Sequence, residues 1–209
     1  MSADQRCPGR VGGGRGAWRV GLGLAALLLW GVPASAPALV GDLTPEGIRE
    51  AIDAGIAAVT QDDFGEEWQL QLPGGEDIVV STPFSRLALT ARQIAMKGEV
   101  MTDKQQKEQI DRGKGRIQLL VTMHGGPSRT FARFYTPVLQ VDGKEIKATF
   151  VQNERTPIPE DNGRLAARNV YVFPLEGLPK NGVVTLLVRD APPEQKEVLR
   201  AKLDLSKFR

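Results

Sequence analysis

The sequence predicts an α+β fold in which N-terminal helices and a small hairpin pack beside a C-terminal antiparallel β-sandwich. Three observations carry this. Apolar residues recur at spacings of three and four over residues 45–60 and 83–97, the period of an amphipathic helix. Beyond Arg116 they alternate with polar residues, the period of a half-buried strand. Glycine and proline then punctuate the second half every dozen or so residues, as turns between short strands do. With 209 residues, 41% hydrophobic and 25% charged, the composition excludes collagen, coiled coil and wholesale disorder.

Residues 1–38 have the plan of a secretory signal peptide. Arg6, Arg10, Arg15 and Arg19 precede the apolar stretch Val20 to Val32. Ala36-Pro37-Ala38 follows with small side chains where signal peptidase requires them, so Leu39 is the expected mature terminus. The alternative is an uncleaved membrane anchor through residues 20–32, but these 13 residues fall short of the about 20 that cross ~30 Å of hydrocarbon. Without an Arg-Arg pair before the stretch, or a cysteine just after it, the general secretory route is expected.

Cleavage changes the charge. Residues 1–38 hold four Arg and one Asp, so 27 basic and 25 acidic residues fall to 23 and 24, and the net charge goes from +2 to −1. The positive charge belongs to the leader and does not point to nucleic acid. Cys7, the only cysteine, leaves too, so an exported chain must be held together by packing rather than by disulfides. Residues 39–115, helix-rich with a hairpin, and 116–209, the sandwich, are expected to form one compact unit.

Thr44-Pro45 opens the first helix. The threonine hydroxyl caps free backbone donors, and proline at the first helical position has no N–H to leave unsatisfied. Ile48, Ala51, Ile52, Ile56 and Val59 supply its apolar stripe to about residue 60, weakened by Gly47 and Gly55. Residues 67–81 read as a hairpin around Pro73-Gly74-Gly75. Thr82-Pro83 repeats the helix start, and Phe84, Leu87, Ala88, Ala91 and Ala95 carry a second helix to about 97. Thr102 and Gln105 have capping-box spacing, predicting a short polar helix to about Arg112 that Gly113-Lys114-Gly115 ends.

Strands are expected near 116–124, 131–141, 144–153, 167–174, 183–189 and 197–205, with an Asp142-Gly143 hairpin turn. Other turns are expected at Gly125-Gly126-Pro127, Pro179-Lys180-Asn181-Gly182 and Pro192-Pro193. Pro137 has no N–H for a ladder, so its strand should be an edge or bulged there. Six short strands so spaced resemble an immunoglobulin-like sandwich in architecture alone, since the Cys-Trp-Cys signature is absent.

Chemistry-bearing residues are sparse. His124 is the sole histidine and stands where a strand meets Gly125-Gly126, which excludes a zinc site of several His and Cys ligands. We read it as a turn histidine with a local hydrogen bond. Ser128 lies near it in sequence, but no Gly-x-Ser-x-Gly elbow exists for a hydrolase. Glu66-Glu67, Glu154 and Glu160-Asp161 are the carboxylates from which a glycosidase pair would be drawn. Glu160-Asp161-Asn162-Gly163 shares oxygen ligands with a calcium loop yet lacks its alternating spacing, and reads as a solvated turn.

Lys97, Lys104, Lys107, Arg112, Lys114 and Arg116 are interleaved with Glu99, Asp103, Glu108 and Asp111. Such a mixed-sign stretch reads as a solvated face, with an acidic-lipid contact as the alternative. Gly12-Gly13-Gly14 lies in the leader, and Gly113-Lys114-Gly115 precedes a strand where a Walker loop precedes a helix. No nucleotide, cofactor or metal is therefore expected.

The longest loop, 154–165, contains Pro157 and Pro159, which lower the entropy lost when a partner orders it. Glu154, Arg155 and Arg168 are the expected recognition surface. The function these features predict is an exported, noncatalytic binding or accessory protein of the cell envelope, periplasmic or extracellular, whose partner is an envelope protein or a glycan. Nucleic acid is not expected, and membrane contact only with the leader uncleaved. The alternative is an exported carboxylate-dependent enzyme acting on a glycan through Glu154, Glu160 and Asp161.

Overall fold

The computed structural model describes residues 42–208 apart from Pro127. The expected signal peptide and its cleavage site lie outside the described residues. Among the described residues there are three α-helices and two antiparallel sheets, an α+β fold.

Local capping sets the helix starts. In α1 (Pro45–Ala57) the Thr44 hydroxyl accepts from the Gly47 N–H at 3.1 Å. In α2 (Pro83–Met96) Thr82 and Ser85 form a capping box, with the Ser85 N–H on Thr82 Oγ1 at 3.1 Å and the Thr82 N–H on Ser85 Oγ at 2.9 Å. In α3 (Asp103–Gly113) Thr102 and Gln105 do the same. The first helix stops short of residue 60. Arg92 of α2 donates through Nε to the Ala58 carbonyl at 2.9 Å, satisfying an end the helix would otherwise leave open. Gly55 lets α1 and α2 touch, since a Cβ there would lie 2.1 Å from the Ala88 carbonyl oxygen.

The first sheet runs β1 (Gln69–Gln71), β2 (Asp77–Ser81), β3 (Arg116–Gly125), β8 (Leu165–Pro174), β6 (Phe150–Gln152), with β7 (Ile158–Pro159) also on β8. The second runs β10 (Glu197–Asp204), β9 (Val183–Arg189), β4 (Thr136–Val141), β5 (Lys144–Lys147). The hairpin of residues 67–81 is thus no separate element. After a 3-10 turn at Glu66–Trp68 it becomes β1–β2, and β2 pairs with β3 from Asp77↔Thr122 to Ser81↔Gln118.

Alternation along β3 sends Ile117, Leu119, Val121 and Met123 into the interior beside Ile78 and Val80 of β2 and Tyr171 and Phe173 of β8. These residues share one contiguous cluster with Leu87 and Ala88 of α2, Leu139, Leu186 and Val188 of the second sheet, and Leu203. Full burial of each large aliphatic side chain contributes about 1.5–3 kcal/mol. The opposite face of β3 carries Gln118, Leu120, Thr122 and His124, all partly exposed.

Three expected strands take a different course. Residues 131–134 form turns, with the Phe131 N–H on Ser128 O and the Arg133 N–H on Thr130 O, so β4 begins only at Thr136. The strand expected over 144–153 is two strands in two sheets. Thr149 turns the chain across, because its N–H and its hydroxyl both donate to the Val172 carbonyl, at 2.7 and 3.2 Å, and so draw β6 onto β8. The strand expected over 167–174 begins two residues earlier, at Leu165.

Pro137 sits in an interior strand, opposite Val188 of β9, but pairing with β5 starts only at Val138↔Lys147. At this proline β4 is therefore paired on one side only. Among the described residues, no helix is long and apolar enough to cross a membrane.

Candidate functional site

The three residues of the expected recognition surface are not brought together by any hydrogen bond or ion pair among the described residues. The Glu154 backbone N–H donates to the buried Asn169 side chain at 3.0 Å, and its carboxylate accepts from the Thr156 N–H at 2.8 Å, closing a local turn. Arg155 is exposed in that turn. Arg168 is exposed on β8, and strand alternation turns it to the face opposite its neighbour Asn169.

The other carboxylates also serve turn geometry. Glu67 accepts from the Gly65 N–H at 2.9 Å. Glu160-Asp161-Asn162-Gly163 forms the β7–β8 turn, in which the Glu160 N–H donates to Arg164 O and the Arg164 N–H to Asn162 Oδ1. Among the described residues, no three His, Cys, Asp or Glu side chains converge as metal ligands do.

His124 reaches beyond its own turn. Its Nε2 lies 3.0 Å from Glu160 Oε1, thirty-six residues away, with the imidazole only 12% exposed. A carboxylate only accepts, so Nε2 donates in this bond, and buried Nδ1 has no hydrogen-bond partner among the described residues. Ser128 bonds instead to Thr130 at 3.1 Å.

A site that the sequence marks only as part of a mixed-sign stretch lies where β3 begins and β8 ends. An open cleft of about 630 Å³ is lined by Arg86, Arg112, Lys114 and Arg116 with Gly115, Gln118, Thr149, Phe150, Val172 and Pro174. It has four cationic side chains and no carboxylate among its lining residues.

Local structure places each cation. Arg86, in the first turn of α2, donates through Nη1 to Gln118 Oε1 at 3.2 Å, tying the helix to β3. Arg112 occupies the last turn of α3, where a cation offsets the negative end of the helix dipole. Gly113 packs against Pro83, with a Cβ there only 3.2 Å from Pro83 Cα, so the end of α3 sits against the start of α2. Gly115 adopts φ +65°, which favours glycine and turns the chain straight into β3, delivering Lys114 and Arg116 to the same opening.

Burial first, and then the charges of Arg112 and Arg116, hold the Arg86 guanidinium below its ordinary value. The neighbouring cations thus add to an effect that burial dominates. A second cleft of about 420 Å³, lined in part by Thr136, Lys147, Val151 and Gln195, contrasts with it, because there Arg189 is paired with Glu145.

Arg112, Lys114 and Arg116 are visible in the sequence as a basic run. Arg86 is not, being thirty-two residues from its partner Gln118. The interleaved acids also disguise the run. Asp111 lines a different cavity, with Pro83 and Ile110, which shares Lys114 with the cleft.

No protein-family model matches the sequence, and no curated protein matches it. The chain is similar over 79% of its length to a solved structure of a novel protein of unknown function from Burkholderia pseudomallei K96243, covering 92% of that chain, with 10% identity and a TM-score of 0.38.

Proposed function

We propose that this chain is an exported, noncatalytic binding or accessory protein of the cell envelope, its two sheets forming an immunoglobulin-like β-sandwich, and that it takes its ligand in the four-cation cleft. The observation that carries the reading is the gathering of Arg86, Arg112, Lys114 and Arg116 around one opening without a carboxylate. Like charges held together in a fold are unfavourable, so an anionic ligand that neutralises them binds strongly for its size. Export is supported by the basic-then-apolar leader and its Ala36-Pro37-Ala38 site.

The test is native mass spectrometry of the protein extracted gently from the envelope fraction. The expected result is a chain beginning at Leu39 with a bound anionic species that is absent from the Arg86→Gln/Arg116→Gln variant. A full-length chain confined to the cytosol would overturn the export reading. A bound species retained equally by the variant would overturn the cleft as the binding site.

A further inference from the structure

Resting on the binding reading above, we propose that the cleft takes a ligand bearing two or more phosphate groups beside an apolar portion. The first argument is the state of the cations. Elsewhere on the protein Arg49, Arg189 and Arg200 are each paired with a glutamate. Among the described residues, none of the four cleft cations has an ion pair. Gln118 takes one Arg86 N–H, and Arg116 Nε reaches only the Lys114 carbonyl, at 3.4 Å.

The second argument is charge and shape. A phosphomonoester carries about −1.5 to −2 charges and three acceptor oxygens near neutral pH, so roughly two of them match four cations, whereas a carboxylate brings one charge and two oxygens. Arginine forks bind phosphate oxygens in pairs, and lysine adds a point charge. The third argument is the apolar part of the lining. Phe150, 50% exposed, lines the cleft with Val172 and Pro174 and offers carbon surface to the uncharged part of the ligand. A volume of about 630 Å³ lies within the ~300–1,000 Å³ typical of small-ligand sites, which fits a headgroup rather than a polymer.

The chemistry is shared by a soluble bisphosphorylated molecule and a phosphate-bearing lipid headgroup, and the experiment separates them. The protein recovered from the envelope is titrated calorimetrically at low salt with inorganic pyrophosphate and with succinate, a dianion of similar length. It is then floated with vesicles of phosphatidylcholine alone or mixed equally with diacylglycerol pyrophosphate, whose headgroup carries two phosphates. Expected are binding of pyrophosphate at least about tenfold tighter than succinate, and at least about tenfold weaker binding by Arg86→Gln/Arg116→Gln. Lys180→Gln/Lys202→Gln, which removes two exposed cations outside the cleft lining, should bind as the parent does, and thermal unfolding should show both variants folded. Flotation with the diacylglycerol pyrophosphate vesicles marks a lipid source, and pyrophosphate binding without flotation a soluble one. Succinate binding as tightly as pyrophosphate, with the same loss in the cleft variant, would overturn the phosphate assignment and leave the cleft reading standing. Failure of the cleft substitutions to affect any ligand would overturn both.

Discussion

The Tyr171 hydroxyl donates to Asn153 Oδ1 at 3.3 Å, and the Asn153 amide donates in turn to the Tyr135 carbonyl at 2.8 Å. Tyr171 is fully buried in β8, so its hydroxyl cannot reach water for a partner. Asn153 stands just past β6, and Tyr135 just before β4, so one side chain joins the first sheet to the entrance of the second.

Asn153→Ala removes both bonds and leaves the Tyr171 hydroxyl and the Tyr135 carbonyl unsatisfied. The expected loss of stability is about 1–3 kcal/mol, read as a lower urea midpoint with unchanged slope. Asn153→Ala combined with Tyr171→Phe should recover part of it, because the stranded hydroxyl is gone. An unchanged midpoint for the single variant would show that the bridge contributes nothing.

The same tyrosines predict an alkaline limit. Burial, and after it the charge of Asp190, pushes Tyr135 up from 10.0 to about 12, and burial pushes Tyr171 up as well. The unfolded chain releases these protons first, from about pH 10. Stability is therefore complete below that pH and falls as pH rises toward the folded value of Tyr135. Denaturation midpoints between pH 9 and 12 should decline less steeply in Tyr135→Phe. Parallel declines would remove this tyrosine from the account.

Gly55→Ala should be severe for so small a change. The new Cβ would meet the Ala88 carbonyl oxygen at 2.1 Å and the Arg92 nitrogen at 2.9 Å, both backbone atoms that cannot rotate away. Forcing α1 and α2 apart is expected to cost about 3 kcal/mol, the upper end of overpacking penalties. Circular dichroism during thermal unfolding measures it, and a variant as stable as the parent would mean that the helices separate freely.

His124→Ala should act locally. The imidazole ties the β7–β8 turn to the end of β3 through Glu160, and Arg164 Nη2 adds a 3.4 Å contact to the His124 carbonyl. Hydrogen exchange is expected to speed up over residues 158–166 while the melting temperature moves little, since the core lies elsewhere. Unaltered exchange there would assign the turn's order to its own internal bonds.

What the sequence determined by itself is local. Thr44-Pro45, Thr82-Pro83 and the Thr102–Gln105 pair mark three helix starts because each cap bond spans only three residues. Residues 183–189 form a strand with the expected bounds, since alternation and the flanking turns are written in consecutive positions.

Tertiary structure decided the rest. Ile146, Ala148 and Phe150 keep a period of two across the break, and that period carries no information on which backbone pairs with them. Only the two bonds from Thr149 to Val172 show that the chain changes sheets. The cleft follows the same rule. Lys114 and Arg116 stand two apart in the sequence, but the absence of a carboxylate from the cleft lining, and the presence of Arg86 in it, depend on the packing of α3 against α2 and of α2 against β3. Coulomb energy depends on distance through space, which the order of residues along a chain does not specify.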